Sequence, residues 1–165
     1  MNQLVTTEEN TEQSLDVGVP VGTEQYVTVR IAGQLFGLAV LDVHDILGPQ
    51  KITRVPLSPP EIAGSLNLRG KIVTAMNMRE SMDLPPLGEG EESMHVVVHH
   101  KGSDYSLLVD GVGEVLNLHQ KDYERTPPTL DPRWGKTSKG IFRLPEELMI
   151  VLDVDQILAT EHEES

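Results

Sequence analysis

The sequence predicts an all-β protein made of two similar small β modules in tandem. Three observations carry this. Strand-like segments are short and broken by Gly and Pro throughout, as in small barrels or a sandwich. A 21-residue stretch near the start matches, without a gap, a second stretch 69 residues further on. The length of 165 residues is about one domain's worth. It is enough to bury roughly two thirds of the unfolded surface with no metal or disulfide as a brace.

Residues 1–23 are polar, acidic and aperiodic, and read as a disordered tail. From Glu24 the pattern alternates, with Val27, Val29 and Ile31 on one face and Tyr26, Thr28 and Arg30 on the other, a half-buried strand. Ala32-Gly33 reads as a turn. Residues 35–41 are apolar on both faces, which predicts a fully buried strand. Val43, Ile46 and Leu47 fit one helical turn or the start of a third strand. Pro49, Pro56, Pro59 and Pro60 exclude a long helix in the next stretch. Residues 71–78 alternate again, with Ile72, Met76 and Met78 opposite Val73 and Ala75. Residues 83–92 are a surface loop rich in Pro, Gly and Glu. Met94, Val96 and Val98 then alternate with His95 and His99, and Tyr105, Leu107 and Val109 with Ser106 and Asp110. Residues 117–139 read as loop, 148–154 as the last strand, 155–160 as a short helix and 161–165 as a second acidic tail.

The self-match lays residues 27–47 over 96–116. Seven of the 21 positions are identical: Val27/Val96, Val29/Val98, Gly33/Gly102, Leu38/Leu107, Val40/Val109, Val43/Val112 and Leu47/Leu116. Ordinary composition gives about one or two. Residues 64–82 align more weakly with 140–158, through Gly64/Gly140, Leu68/Leu144 and Met76/Leu152. The second copy therefore carries seven extra residues between Leu116 and Gly140, in the Pro-rich loop. Modules of this size are near the lower limit of independent stability, so the two are expected to pack together and leave a groove between them, a usual place for a ligand or partner.

Composition excludes several functions. Acidic residues number 26 against 13 basic, a net charge of −13, and nucleic-acid binders need a basic footprint. Seven of the acids lie in the two tails, which leaves −6 for the body. There is no cysteine, so thiol catalysis, thiolate zinc and iron–sulfur clusters are out. No apolar run reaches the ~18–20 residues of a membrane span, and the first residues lack the pattern of a secretory signal. No nucleophile elbow or phosphate loop is present. His95 and His99 are ~13 Å apart if in a strand, too far to share a metal, and the histidines read as surface or strand-edge groups. What remains is Gly64-Ser65-Leu66-Asn67-Leu68-Arg69-Gly70. In an extended chain Asn67 and Arg69 share a face, and the flanking glycines allow sharp bends. The segment is either a turn with a solvated Arg, or a stiff corner presenting Arg69 to a partner carboxylate or carbonyl.

Asn67-Leu68-Arg69-Gly70 runs on into Lys71-Ile72-Val73. It follows Pro56-x-x-Pro59 and Ile62-x-Gly64, and precedes Asn77-Met78-Arg79. With Val109-Asp110-Gly111-Val112 and Glu114-Val115-Leu116, this ordered set resembles the CheW-like chemotaxis coupling proteins over roughly residues 24–160. The resemblance implies two five-stranded SH3-like barrels packed together with few short helices, and pseudo-repeat halves at about 24–92 and 93–160. It implies a non-enzymatic adaptor without cofactor, cytoplasmic, at receptor arrays beneath the inner membrane but not inserted in it. The implied partners are the cytoplasmic hairpin tips of methyl-accepting chemoreceptors and the regulatory domain of the histidine kinase CheA. The motif carries over Val43, Asp45, Gly64, Asn67, Arg69 and Gly70 as partner-contact residues, with a groove near Val40, Val43 and Val112 for the receptor hairpin. There is no room for a receiver domain or a kinase catalytic part, and a monomer in isolation is expected. Two departures bear on partner specificity: Asp45 stands where the family commonly has Glu, and Asn77-Met78-Arg79 where it has Asp-Leu-Arg. The alternatives are an adaptor of the same fold serving another kinase pathway, motility or gene regulation, and a small-ligand-binding or hydrolytic β-barrel protein.

Overall fold

The computed structural model describes residues 22–163. In chain order the elements are β1 (Thr23–Ile31), β2 (Gln34–Ala39), β3 (Val43–Leu47), β4 (Ile62–Leu68), β5 (Lys71–Asn77), α1 (Met78–Ser81), β6 (Met94–His100), β7 (Ser103–Val109), β8 (Gly111–His119), β9 (Tyr123–Glu124), α2 (Pro132–Gly135), β10 (Ser138–Arg143), β11 (Leu148–Leu152) and α3 (Val154–Glu163). The expected N-terminal tail lies outside the described residues up to position 21, and Thr23 already opens β1. At the other end α3 runs to Glu163, into the segment 161–165 that reads as an acidic tail.

The strands form two sheets, one in the order β9-β10-β11-β2-β1-β8, the other β3-β6-β7-β5-β4. The self-match aligns β1 with β6, β2 with β7, β3 with β8, β4 with β10 and β5 with β11. Leaving aside the two-residue β9, the two sheets have the same order strand for strand. Yet each is assembled from both copies. The β1–β2 hairpin of the first copy sits between β11 and β8 of the second. The β6–β7 hairpin of the second sits between β3 and β5 of the first. The structural subdomains therefore do not coincide with the sequence halves.

The two opening hairpins turn through the same geometry. Ala32-Gly33 has φ of +52 and +83, Lys101-Gly102 +51 and +84, the double positive φ of a type I′ connection that matches strand twist. After Ala39 the chain leaves the sheet for a 3₁₀ turn at Val40–Asp42. The expected buried strand over 35–41 thus ends two residues early, and Leu41 is 90% exposed. Residues 43–47 form a strand. Residues 117–139 are not all loop: β8 extends to His119, and β9 and α2 follow.

Packing explains the exchange. The largest core joins the sheets, with Val29, Ile31, Phe36 and Leu38 from one meeting Met76, Val96, Val98 and Leu107 from the other, closed by Val154, Ile157 and Leu158 of α3. Each sheet also curls over a small core of its own, Tyr26, Phe142, Met149 and Val151 in the first and Leu66, Val73 and Ala75 in the second. Ile72 was expected alongside Met76, but it sits ~13 Å along the same strand, beyond the shared core, and is 71% exposed.

A charged clamp fastens the sheets. Arg79 donates through Nε and Nη2 to Asp110 at 3.0 and 2.6 Å and through Nη1 to the Pro85 carbonyl at 2.8 Å, while Asp110 Oδ2 also accepts the Ala32 N–H at 2.7 Å. Partial burial pushes the Asp110 carboxyl up, but the Arg79 hydrogen bond and charge and the Ala32 amide outweigh it, so it ionises below its ordinary range. Asn77, where the family has Asp, caps α1 by accepting the Glu80 N–H at 3.2 Å, a task Asn and Asp perform equally well.

His95, expected at the surface or a strand edge, is 1% exposed. Its Nδ1 meets Ser106 Oγ at 2.7 Å, and burial lowers its pKa below the ordinary 6.5. The unfolded chain therefore takes up this proton more readily, so the stability that neutral His95 contributes is complete above pH 6.5 and lost as the pH falls below it. Urea titrations at pH 7 and pH 5 are expected to show a drop in unfolding free energy on acidification. The drop shrinks in His95→Leu, and an unchanged pH dependence in that variant would contradict the assignment.

Candidate functional site

The Asn67–Gly70 segment is the connection of the β4–β5 hairpin. Arg69 and Gly70 have φ of +51 and +85, the same two-residue geometry as the other hairpins. Asn67 faces the turn, its Oδ1 accepting the Gly70 N–H at 3.0 Å. Asn67 and Arg69 consequently do not share a face, as an extended chain would have it. Asn67 pairs with Ile72 on the outward side, and Arg69 swings toward β3, where Nη2 donates to Asp45 Oδ2 at 2.9 Å. Arg69 remains 82% exposed in its side chain and Asp45 31%. Asp45 Oδ1 also accepts the Ile46 N–H at 2.8 Å. The carboxyl one methylene shorter than the family's Glu thus still reaches the guanidinium, and holds it from one side only.

Asp45 and Arg69 edge a shallow cavity of about 240 Å³ with His44, Leu68, Lys71 and Asp104. The His44 and His99 rings stack at 5.3 Å between centroids. His99 Nδ1 meets Asp104 at 2.7 Å, and Lys71 Nζ lies 3.8 Å from the same carboxylate. The hydrogen bond from His99, supported by Lys71, holds the Asp104 carboxyl below its usual range against the effect of desolvation. Four cationic or titratable donors, the side chains of Arg69, Lys71, His44 and His99, thus gather with two carboxylates at one mouth of the second sheet. No group of His, Asp and Glu suited to a metal ion occurs among the described residues.

The other expected contact residues fall elsewhere. Gly64 is buried, under the Thr53 backbone. Val43 and Val112, equivalent positions of the repeat, both pack against the rim of the shared core. Val40 lies in the 3₁₀ turn, half-buried. A larger cavity of about 490 Å³ opens over the first sheet's own core, floored by Leu35, Leu116, Leu118 and Leu144 and edged by Glu114, Glu146 and the Arg30–Glu147 pair. Its floor is aliphatic and its rim charged, and it does not lie between the sheets. The sequence reading did not single out His44 or Asp104, which line this cavity. The repeat was the available signal for Asp104, because it places residue 104 opposite Leu35, an inward position filled by a charge.

No helix among the described residues is long and apolar enough to cross a membrane. Two SH3-like subdomains built by hairpin exchange around one shared core, with Arg69 on a hairpin turn paired to Asp45 of β3, define a two-subdomain β scaffold. The chain belongs to the CheW-like domain family, whose model matches residues 25–162. The Bacillus subtilis chemotaxis protein CheW is 24% identical over 142 residues, covering 86% of this chain and 91% of its own length. The Helicobacter pylori chemotaxis protein CheW is 26% identical over 151 residues, covering 92% and 85%. Among solved structures, the scaffolding protein TtCheW of Thermoanaerobacter tengcongensis superposes with a TM-score of 0.73 at 28% identity, over 82% of this chain and 92% of that one.

Proposed function

We propose that this chain is a non-enzymatic chemotaxis scaffold, cytoplasmic at receptor arrays, that couples chemoreceptor hairpin tips to the histidine kinase CheA. The observation that carries the reading is Arg69, 82% exposed yet aimed by Asp45 from a rigid two-residue turn. A guanidinium oriented in this way offers unspent N–H donors to a partner carboxylate or carbonyl. In this reading Asp45, Arg69 and the turn fixed by Asn67 and Gly70 meet the kinase's regulatory domain. The rim of Val40, Val43 and Val112 meets an apolar stripe of the receptor hairpin. Each contact is weak, and the array multiplies them.

The test is Arg69→Ala. An exposed ion pair contributes about 0–1 kcal/mol, so the melting temperature is expected to stay where it is. Binding to the kinase's regulatory domain is expected to weaken by about tenfold or more, the usual cost of removing a central Arg from an interface. Calorimetric titration beside a thermal melt measures both. A variant that binds as well as the parent removes Arg69 from the contact, and one that fails to fold makes the residue structural.

A further inference from the structure

We propose that Leu57, at the tip of the loop between β3 and β4, is an apolar knob that seats in a concave socket edged by carboxylates on the kinase; this rests on the reading above. Residues 55–58 form a β-turn in which the Ser58 N–H and Oγ–H both donate to the Val55 carbonyl, at 3.4 and 2.8 Å. Pro56 holds the first central position at negative φ. Leu57 holds the second at φ +65, type II geometry that calls for Gly or Asn. A branched side chain there strains the backbone. The residue is also 104% exposed, so its side chain gains nothing from its own fold. Leu57 thus breaks a backbone rule and a burial rule at once, and its contacts lie outside the chain.

The surroundings define the partner. Val55 beside it is 44% exposed. Lys51 and Arg54 are exposed, and neither has an ion-pair partner among the described residues. No acidic residue occurs from Pro49 to Pro60, in a chain with twice as many acids as bases. A convex apolar tip flanked by two free cations complements a concave apolar surface with a carboxylate rim. The loop is also tied to the proposed kinase face. Thr53 and Ser65 exchange both backbone hydrogen bonds at 2.8 Å, which staples it to β4, the strand that leads into the Arg69 turn.

The experiment titrates the full chain against the kinase's regulatory domain for the parent, Leu57→Asn and Arg54→Glu, each with a thermal melt. Asn tolerates the left-handed region, so Leu57→Asn is expected to melt at the same temperature or higher while binding about tenfold more weakly. Arg54→Glu is expected to weaken binding at low salt, by a factor that shrinks as salt is raised. Parent-like binding by either variant overturns the proposal, as does a loss found instead against a receptor hairpin fragment or in self-association followed by sedimentation. A parent chain that does not bind the kinase overturns the proposed function together with this inference. Intact parent binding with unaffected variants overturns this inference alone.

Discussion

Gly64→Ala is expected to lose about 3 kcal/mol or more of stability and roughly 10 °C of melting temperature. The residue is buried at φ +148, and a Cβ there would stand 2.2 Å from the Thr53 carbonyl oxygen and 2.7 Å from Ile52 Cγ2. That carbonyl cannot retreat freely, because it accepts the Ser65 N–H at 2.8 Å while Thr53 N–H donates back to Ser65. A side chain in this backbone region costs on the order of 1–3 kcal/mol, and each hydrogen bond given up about 1 more. Against a total of ~5–15 kcal/mol for a natural domain, the fold survives with a lowered melting temperature. Differential scanning calorimetry measures the effect. The family motif carries Gly64 over as a contact residue, and in that role alone its variant would melt like the parent and bind poorly. The two accounts separate on the melting temperature.

Cutting the chain between Glu92 and Ser93 is expected to leave two halves that do not fold alone and that recover the native state when mixed. The first half contains the β1–β2 hairpin but neither β8 nor β11, which pair with its two edges. It contains β3, β4 and β5 but not the β6–β7 hairpin that joins them into a sheet. Either half alone exposes the apolar side of the shared core, where Phe36 and Leu38 meet Met76 and Leu107. An isolated hairpin is at best marginal in water, and fragments of this size cannot replace the missing core. Circular dichroism and melting of each half and of the mixture provide the measurement. A cooperative transition in either half alone would mean that a sequence copy is a folding unit in its own right.

What was legible in the sequence were the strands and the repeat. Apolar residues at period two located β1, β6 and β7, because inward and outward faces alternate with the pleat. The 27–47/96–116 match paired elements that are indeed equivalent in the two sheets. The exchange of hairpins was not legible, because a repeat states which strands are alike and not which pair. Apolar side chains alone predict Leu41 in a buried strand; the 3₁₀ turn after Ala39 puts it outside. His95 was placed outside because it is polar, and Ser106 across the strand makes its burial affordable. At the β4–β5 turn the residue types of Asn67 and Arg69 were legible but their directions were not. Two adjacent positive φ values fold Asn67 back into the turn and send Arg69 to Asp45.

The most direct test of the scaffold reading mixes the purified chain with a receptor cytoplasmic signalling fragment and CheA, and follows co-sedimentation together with kinase autophosphorylation. The account predicts a ternary pellet that requires this chain, with kinase activity set by the receptor only when the chain is present. Receptor and kinase that stay in the supernatant, with kinase activity indifferent to the added chain, would contradict it.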